Sequence, residues 1–307
     1  MSLNQNSGYG QAQLAALLGG RHTSGRVFIV ADSNNANFND IDRLFTPDHK
    51  GTQRRFSTID AAIGACTANA GDVILVAPNH AENISAATSL VADVAGIAII
   101  GLGTGTNRPV LTYTATAGSI ELDAANILFK NMVLKASVSA VVIGVNVDAA
   151  GITLEDIEFT FDATGDDFIT MVDVDTVNDC VIKNCRFIAE DTAGCSEAIR
   201  LDTAHYATIE GNFIYGDFTD GAIIGEGAAS TGILIKNNFI YNSDTTAGFV
   251  IDLNVACTGL LVGNKCGTLY ATDPETTLDP GSLLCLENYV ANAVDESGAI
   301  VPVTIST

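Results

Sequence analysis

The chain has 307 residues, 47% of them hydrophobic and 16% charged, which is ample for a long core and too apolar for disorder. Its formal charge of -22, from 36 acidic and 14 basic residues, leaves too little basic charge for a duplex-binding face, so no nucleic-acid partner is expected. No apolar run reaches the ~18 residues of a membrane helix, so no membrane partner is expected either.

Residues 1–25 read as an N-terminal arm. Met1 to Gln13 is polar and lacks Lys and Arg, unlike a secretory signal. Leu14, Leu17 and Leu18 form an apolar patch closed by Gly19-Gly20, too short to be a stable helix alone. It is expected to anchor on a neighbouring chain or another protein. Residues 26–72 read as a strand, Arg26 to Val30, a loop rich in Asn and Asp, and a capping helix. Ser57 or Thr58 supplies the N-cap, and Ile59, Ala62, Ile63 and Cys66 follow at helical spacing.

Residues 73–290 repeat about every 26 residues. Ile127 to Asn131, Ile152 to Asp156, Cys180 to Asn184, Ala207 to Gly211, Ile233 to Asn237 and Gly259 to Gly263 are copies of one unit, their last residues 25, 28, 27, 26 and 26 positions apart. Each unit alternates as a strand with one buried face and ends on Asn, Asp or Gly, the residues that tolerate positive φ best. A fixed period of this size means stacked units that cannot bury their cores alone. The expected fold is all-β: a parallel β-helix solenoid with an N-terminal capping helix. Phe129, Leu154, Ile182, Ile209, Ile235 and Leu261 should point inward. Leu128, Val181, Leu234 and Leu260 should point outward and make one outer face unusually apolar. Past each turn comes a second inward position, where Asn212, Asn238 and Asn264 should form an asparagine ladder. Residues 291–307 read as a C-terminal strand or tail.

Polar residues cluster on one strand. Arg200, Asp202 and His205 lie 27 residues after Asp173, Asp175 and Asn178, so Arg200 should pair laterally with Asp173. Asp123, Asp148, Asp175, Asp202, Glu226 and Asp252 recur as an acidic ladder. Its repulsion is offset by N–H groups of each residue's own turn, by cations, with Asp148, Asp175 and Asp202 the candidate ligands, or by side chains that splay into water. No other cofactor is expected. The seven Cys include no Cys-x-x-Cys, so free thiols of a cytosolic product are expected.

With the opening Phe56 to Ile63, the run Gly71 to Pro78 and the run Ala95 to Gly103, the chain resembles the right-handed parallel β-helix superfamily of pectin and pectate lyases. It is similar in particular to head-associated β-helix proteins of tailed bacteriophages. The resemblance spans residues 26 to 290. It implies two roles: catalysis, as in the polysaccharide lyases and glycoside hydrolases of tailspikes, or particle structure. The resemblance to the lyases implies, for the catalytic role, a site with Arg200 as base and Asp173, Asp175 and Asp202 as Ca²⁺ ligands; the other reading of these residues is charge pairing on a solvent face. The hydrolase pattern is incomplete. Asp166-Asp167 is the one Asp-Asp pair, no Gly-His-Gly follows it, and no Arg occurs after Arg200. The expectation is therefore a non-enzymatic virion protein, a capsid decoration or cement protein forming a homotrimer. It is made in the host cytoplasm, placed on the capsid surface, and bound through its arm to the major capsid protein or another virion protein. The alternatives are a tailspike-type enzyme and a non-catalytic carbohydrate-binding adhesin.

Overall fold

The computed structural model describes residues 25–33, 39, 45, 47, 51–189, 195–253, 256–270 and 277–291, and the backbone of 299–300. The arm with Leu14, Leu17 and Leu18 lies outside them. The chain is an all-β right-handed parallel β-helix of about nine coils, with eleven, ten and eight strands in its three sheets. Each coil contributes a short strand to the first sheet, turns, adds one to the second, and crosses to the third. Strand Leu128–Lys130 thus pairs in parallel with Thr153–Glu155, and that with Val181–Lys183.

The first turn is one residue deep because that residue is left-handed. Asn131, Asp156, Asn184 and Asn237 have φ of 55–60°, and Gly211 and Gly263 have 66° and 67°. Short polar side chains and glycine meet this demand with least strain. Glu287, at φ 54°, fills the same place one coil further on.

The inward row Phe129, Leu154, Ile182, Ile209, Ile235 and Leu261 is wholly buried, in one continuous core. Helix α1 (Ile59–Ile63) closes the upper end. Thr58 caps it by accepting from the Ala61 N–H, and Ile59, Ala62 and Ile63 enter the core. Its docking is tied from below: Glu82 Oε2 accepts from the Ile59 N–H at 3.1 Å and meets buried His80 Nε2 at 3.1 Å. At the lower end, Ala299–Ile300 pairs antiparallel with Tyr289 and Val290.

The expected outer apolar face needs correction. Leu128 is 3% exposed, because a second, outer core covers this sheet at its N-terminal end. That core joins Val27, Ile29, Val73, Leu75, Ala98, Ile100 and Leu128 to Phe45 from the long loop. Val181 and Leu234 are half-buried, and Leu260 is exposed. Beside them runs a second outward row, Lys130, Glu155, Lys183, Glu210 and Lys236, alternating in sign from coil to coil. Lys130 meets Glu155 at 2.7 Å, Lys183 meets Glu155 at 3.2 Å, and Lys236 meets Glu210 at 3.0 Å. The next two residues of this row are Val262 and Leu286. Among the described residues, the exposed large apolar side chains of this sheet lie in its last two coils: Leu260, Leu284 and Leu286.

Candidate functional site

The third sheet carries the polar candidates. Its outward residues form two parallel rows. One runs Glu121, Asn146, Asp173, Arg200, Ile224, Asp252 and Asp279. The other includes Asp175, Asp202 and Glu226 in direct register, with Asp123 and Asp148 continuing it upward. Asp252 therefore does not extend the acidic ladder. It lies opposite Ile224, two residues from Glu226, because this register stacks Ile251 on Ile223 and seats Leu253 against Gly225.

Arg200 is clamped. Its Nε donates to Asp173 Oδ1 at 2.9 Å, its Nη2 pairs with Asp173 Oδ2, and its Nη1 lies 3.5 Å from Glu197 Oε1. Glu197 also accepts from the Thr170 hydroxyl. Both carboxylates are buried, with side chains 9% and 5% exposed. The Asp173 hydrogen bond, reinforced by the Asp173 and Glu197 charges, holds the guanidinium pKa above its ordinary value. Burial pushes Glu197 upward. A catalytic base must release its proton near working pH; this environment moves Arg200 the other way. The arrangement is a cross-strand tie that neutralises buried acids.

Glu197 was not foreseen. It shares sequence parity with the inward Ile199 and Leu201, so alternation alone sends it into the core. Ala198 and Ile199 both enter the core, so the alternation slips between them and leaves Glu197 on the outer side, beside Arg200.

The acidic candidates separate. Asp148 gathers with Glu121 and Asp123, one oxygen from each lying within 4.8 Å of the others. Asn146 bridges this trio, donating its amide to Glu121 at 2.9 Å and to Asp148 at 3.0 Å. Burial and then neighbouring carboxylates raise the pKa of both Asp123 and Asp148. Asp175 accepts from the Thr176 hydroxyl at 2.6 Å; Asp202 accepts from the Thr203 hydroxyl at 3.0 Å and from the Ala228 N–H at 3.3 Å. The N–H that reaches Asp202 thus comes from the next coil, not from its own turn.

His205 ties coils as well: its Nδ1 lies 2.9 Å from the Thr231 hydroxyl. Asp166 and Asp167 accept from the N–H groups of Ala163 and Ala140 and act as loop staples. The seven cysteines are free, and burial pushes Cys180, Cys185 and Cys266 up to about 12, so these are not ready nucleophiles.

The asparagine ladder is continuous. Each Oδ1 accepts from both the backbone N–H and the Nδ2 of the residue above, Asn212 to Asn238 to Asn264, at 2.9–3.0 Å. Asn288 extends it below, and the Cys185 N–H donates to Asn212 above.

The second sheet carries a feature that the 26-residue spacing signalled only in part. Phe213 stacks on Phe239 at 5.2 Å and Tyr215 on Tyr241 at 5.3 Å, with Arg186 over Phe213 at 4.9 Å. Below Phe239 and Tyr241 the wall opens into a groove of about 410 Å³ lined by Lys265, Gly267, Tyr289 and Ala291.

No family model matches the sequence, and no curated protein matches it. Among solved structures the chain is similar to the pectin methylesterase from Aspergillus niger, with 15% identity, a TM-score of 0.47 and coverage of 94% of this chain and 92% of that one. It is similar to a pectate lyase from Bacillus sp. N165 in complex with trigalacturonate, with 13% identity, a TM-score of 0.46 and coverage of 95% and 89%. It is also similar to the ORF18 protein of Geobacillus virus E2, with 14% identity, a TM-score of 0.37 and coverage of 76% and 57%.

Proposed function

We propose that this parallel β-helix is a structural component of a bacteriophage particle: a capsid decoration or cement protein, made in the host cytoplasm, that assembles as a homotrimer. The observation that carries the reading is the change on the outer face of the first sheet. Five coils present the Lys/Glu row; the last two present Leu260, Leu284, Val262 and Leu286 with no charge among them. On a body of charge -22, copies can approach only where charge is absent and apolar area is gained. Trimerisation is therefore assigned to the last two coils rather than to the whole face. The resemblance of the opening motifs to phage head proteins supports the viral setting. The clamped state of Arg200 supports a non-catalytic role. The arm with Leu14, Leu17 and Leu18 is the proposed anchor to the major capsid protein or another virion protein.

Two measurements test this. Light scattering at micromolar concentration in ~0.15 M salt should give three times the chain mass; a monomer refutes the trimer. Purified protein added to particles lacking it should appear on the capsid by electron cryomicroscopy, and a variant without residues 1–20 should remain trimeric but fail to attach. Turnover of acidic polysaccharide that is abolished by Arg200→Ala would refute the non-catalytic role.

A further inference from the structure

Among the described residues nine large apolar side chains are exposed, and six of them fall in the last coils: Phe239, Leu260, Leu269, Leu284, Leu286 and Tyr289. They do not share one face. Leu260, Leu284 and Leu286 stand outward on the first sheet, and Phe239 and Tyr289 stand outward on the second. The two faces meet at the left-handed turn residues Gly263 and Glu287. The apolar surface therefore wraps around a corner, and its two sides differ in shape.

The first-sheet side is raised. Leu284 and Leu286 are two residues apart on one strand, so they stand side by side, 52% and 53% exposed. The second-sheet side is hollow. Its outward column farther from the corner reads Tyr215, Tyr241, Gly267, Ala291, so the side chains shrink from a ring to nothing to a methyl group. The hollow over Gly267 and Ala291 belongs to the groove of about 410 Å³. Lys265 borders it from the column nearer the corner. Charge marks both sides. Lys130, Lys135, Lys183 and Lys236 each meet a carboxylate, whereas Lys265 meets none among the described residues. Glu287, exposed on the corner directly after Leu286, meets no cation among them either.

A ring of three copies is not built from one self-complementary patch, which closes a dimer instead. Each copy must offer two different patches that fit each other. A raised leucine pair and a hollow meet that requirement, because each is apolar and each is bordered by an unmatched charge of opposite sign. We propose that the groove is the socket for a second copy of this chain: Leu286 of one protomer seats over Gly267 of the next, and Glu287 of the first pairs with Lys265 of the second. The inference rests on the homotrimer proposed above and names the contact that closes it.

Sedimentation equilibrium of the full-length chain tests it. Gly267→Val fills the hollow, and Leu284→Ser/Leu286→Ser removes the raised pair. Each should weaken association by about tenfold or more with the thermal midpoint retained. Mixed in equal amounts, the two variants keep one intact hollow and one intact leucine pair between them. They should form a species of twice the chain mass and stop there. Lys265→Glu should weaken association roughly tenfold, and Glu287→Lys added to the same chain should restore it. If Gly267→Val associates as the parent does, if the mixed variants stay apart, or if the charge exchange restores nothing, the socket is wrong while the trimer stands. If Gly267→Val does not fold, the exchange of two exposed charges decides alone. A monomeric parent refutes the trimer itself, and this contact with it.

Discussion

Asn238→Ala removes the middle of the ladder. Its side chain makes four buried hydrogen bonds: Oδ1 accepts from the Asn212 N–H at 2.9 Å and from Asn212 Nδ2 at 3.0 Å, and Nδ2 donates to Ile209 O and Asn264 Oδ1, both at 3.0 Å. At about 1 kcal/mol net each, the sum is about 4 kcal/mol. Part of it is recovered. Asn212 Nδ2 keeps Ile182 O, and Asn264 Oδ1 keeps the Asn238 N–H. The Asn212 N–H loses the acceptor that the structure gives it, in a place that water does not reach. The expected loss is about 3 kcal/mol, read as a shift of the urea midpoint by circular dichroism. Two adjacent rungs share bonds, so Asn238→Ala and Asn264→Ala should not add. A double-mutant cycle should show coupling beyond ~0.5 kcal/mol. A single-variant loss under ~1 kcal/mol, or strict additivity, would show that the amides are dispensable and that backbone pairing alone holds the coils.

Three further outcomes follow from the geometry. Arg200→Met should destabilise the protein by about 3 kcal/mol, because it leaves Asp173 and Glu197 buried without their counter-charge. An Asp173→Asn/Glu197→Gln background should recover much of that loss in denaturant titrations. Asp148→Asn should raise the melting temperature at pH 7 by removing about 1 kcal/mol of like-charge repulsion. Asp148 has a folded pKa raised above its unfolded value, so the native state gains stability as pH falls through the raised value. The advantage of the variant should accordingly vanish below the ordinary aspartate range, and an advantage independent of pH would exclude repulsion as the cause. Gly259→Ala should dismantle the last two coils. Gly259 sits at φ 149°, and an added Cβ would collide with the Ile233 carbonyl oxygen. Limited proteolysis should cut the variant after residue 257 but not the parent; an intact, protected variant would refute the strain.

The inward half of this chain is legible in its sequence because one physical rule governs it. A side chain that faces the core must be apolar or amide-laddered, and the next one must not. Turn residues at positive φ then mark where one strand ends. Outward residues obey no such rule, and there the reading was partial. Nothing in Leu128 announces that Phe45, some eighty residues earlier, helps to cover it. Loop length on the third sheet is elastic, so counting residues placed Asp252 beside Glu226, while packing placed Ile251 on Ile223. Glu197 escapes simple alternation because two successive residues, Ala198 and Ile199, both face the core. The Lys/Glu row was present in the sequence all along, one residue before each left-handed turn, at Lys130, Glu155, Lys183, Glu210 and Lys236.

That row supplies the sharpest test of why the lower coils are apolar. If the row served only solubility, its alternation should continue, with an acid at 262 and a base at 286. The chain has Val262 and Leu286 instead. Both side chains belong to the outward row, with Val262 half-buried and Leu286 exposed, and the proposed contact between copies would account for the departure. Val262→Glu/Leu286→Lys completes the alternation without touching an inward position. Each new charge lies beside an opposite one: the introduced carboxylate stands next to Lys236, and the introduced ammonium stands next to that carboxylate. Stability should therefore change by less than about 1 kcal/mol. The variant should remain folded by circular dichroism while light scattering falls from trimer to monomer. Retained association would place the contact elsewhere on the rod. A variant that fails to fold would show that these two residues are held inside, and the outward row would be wrong.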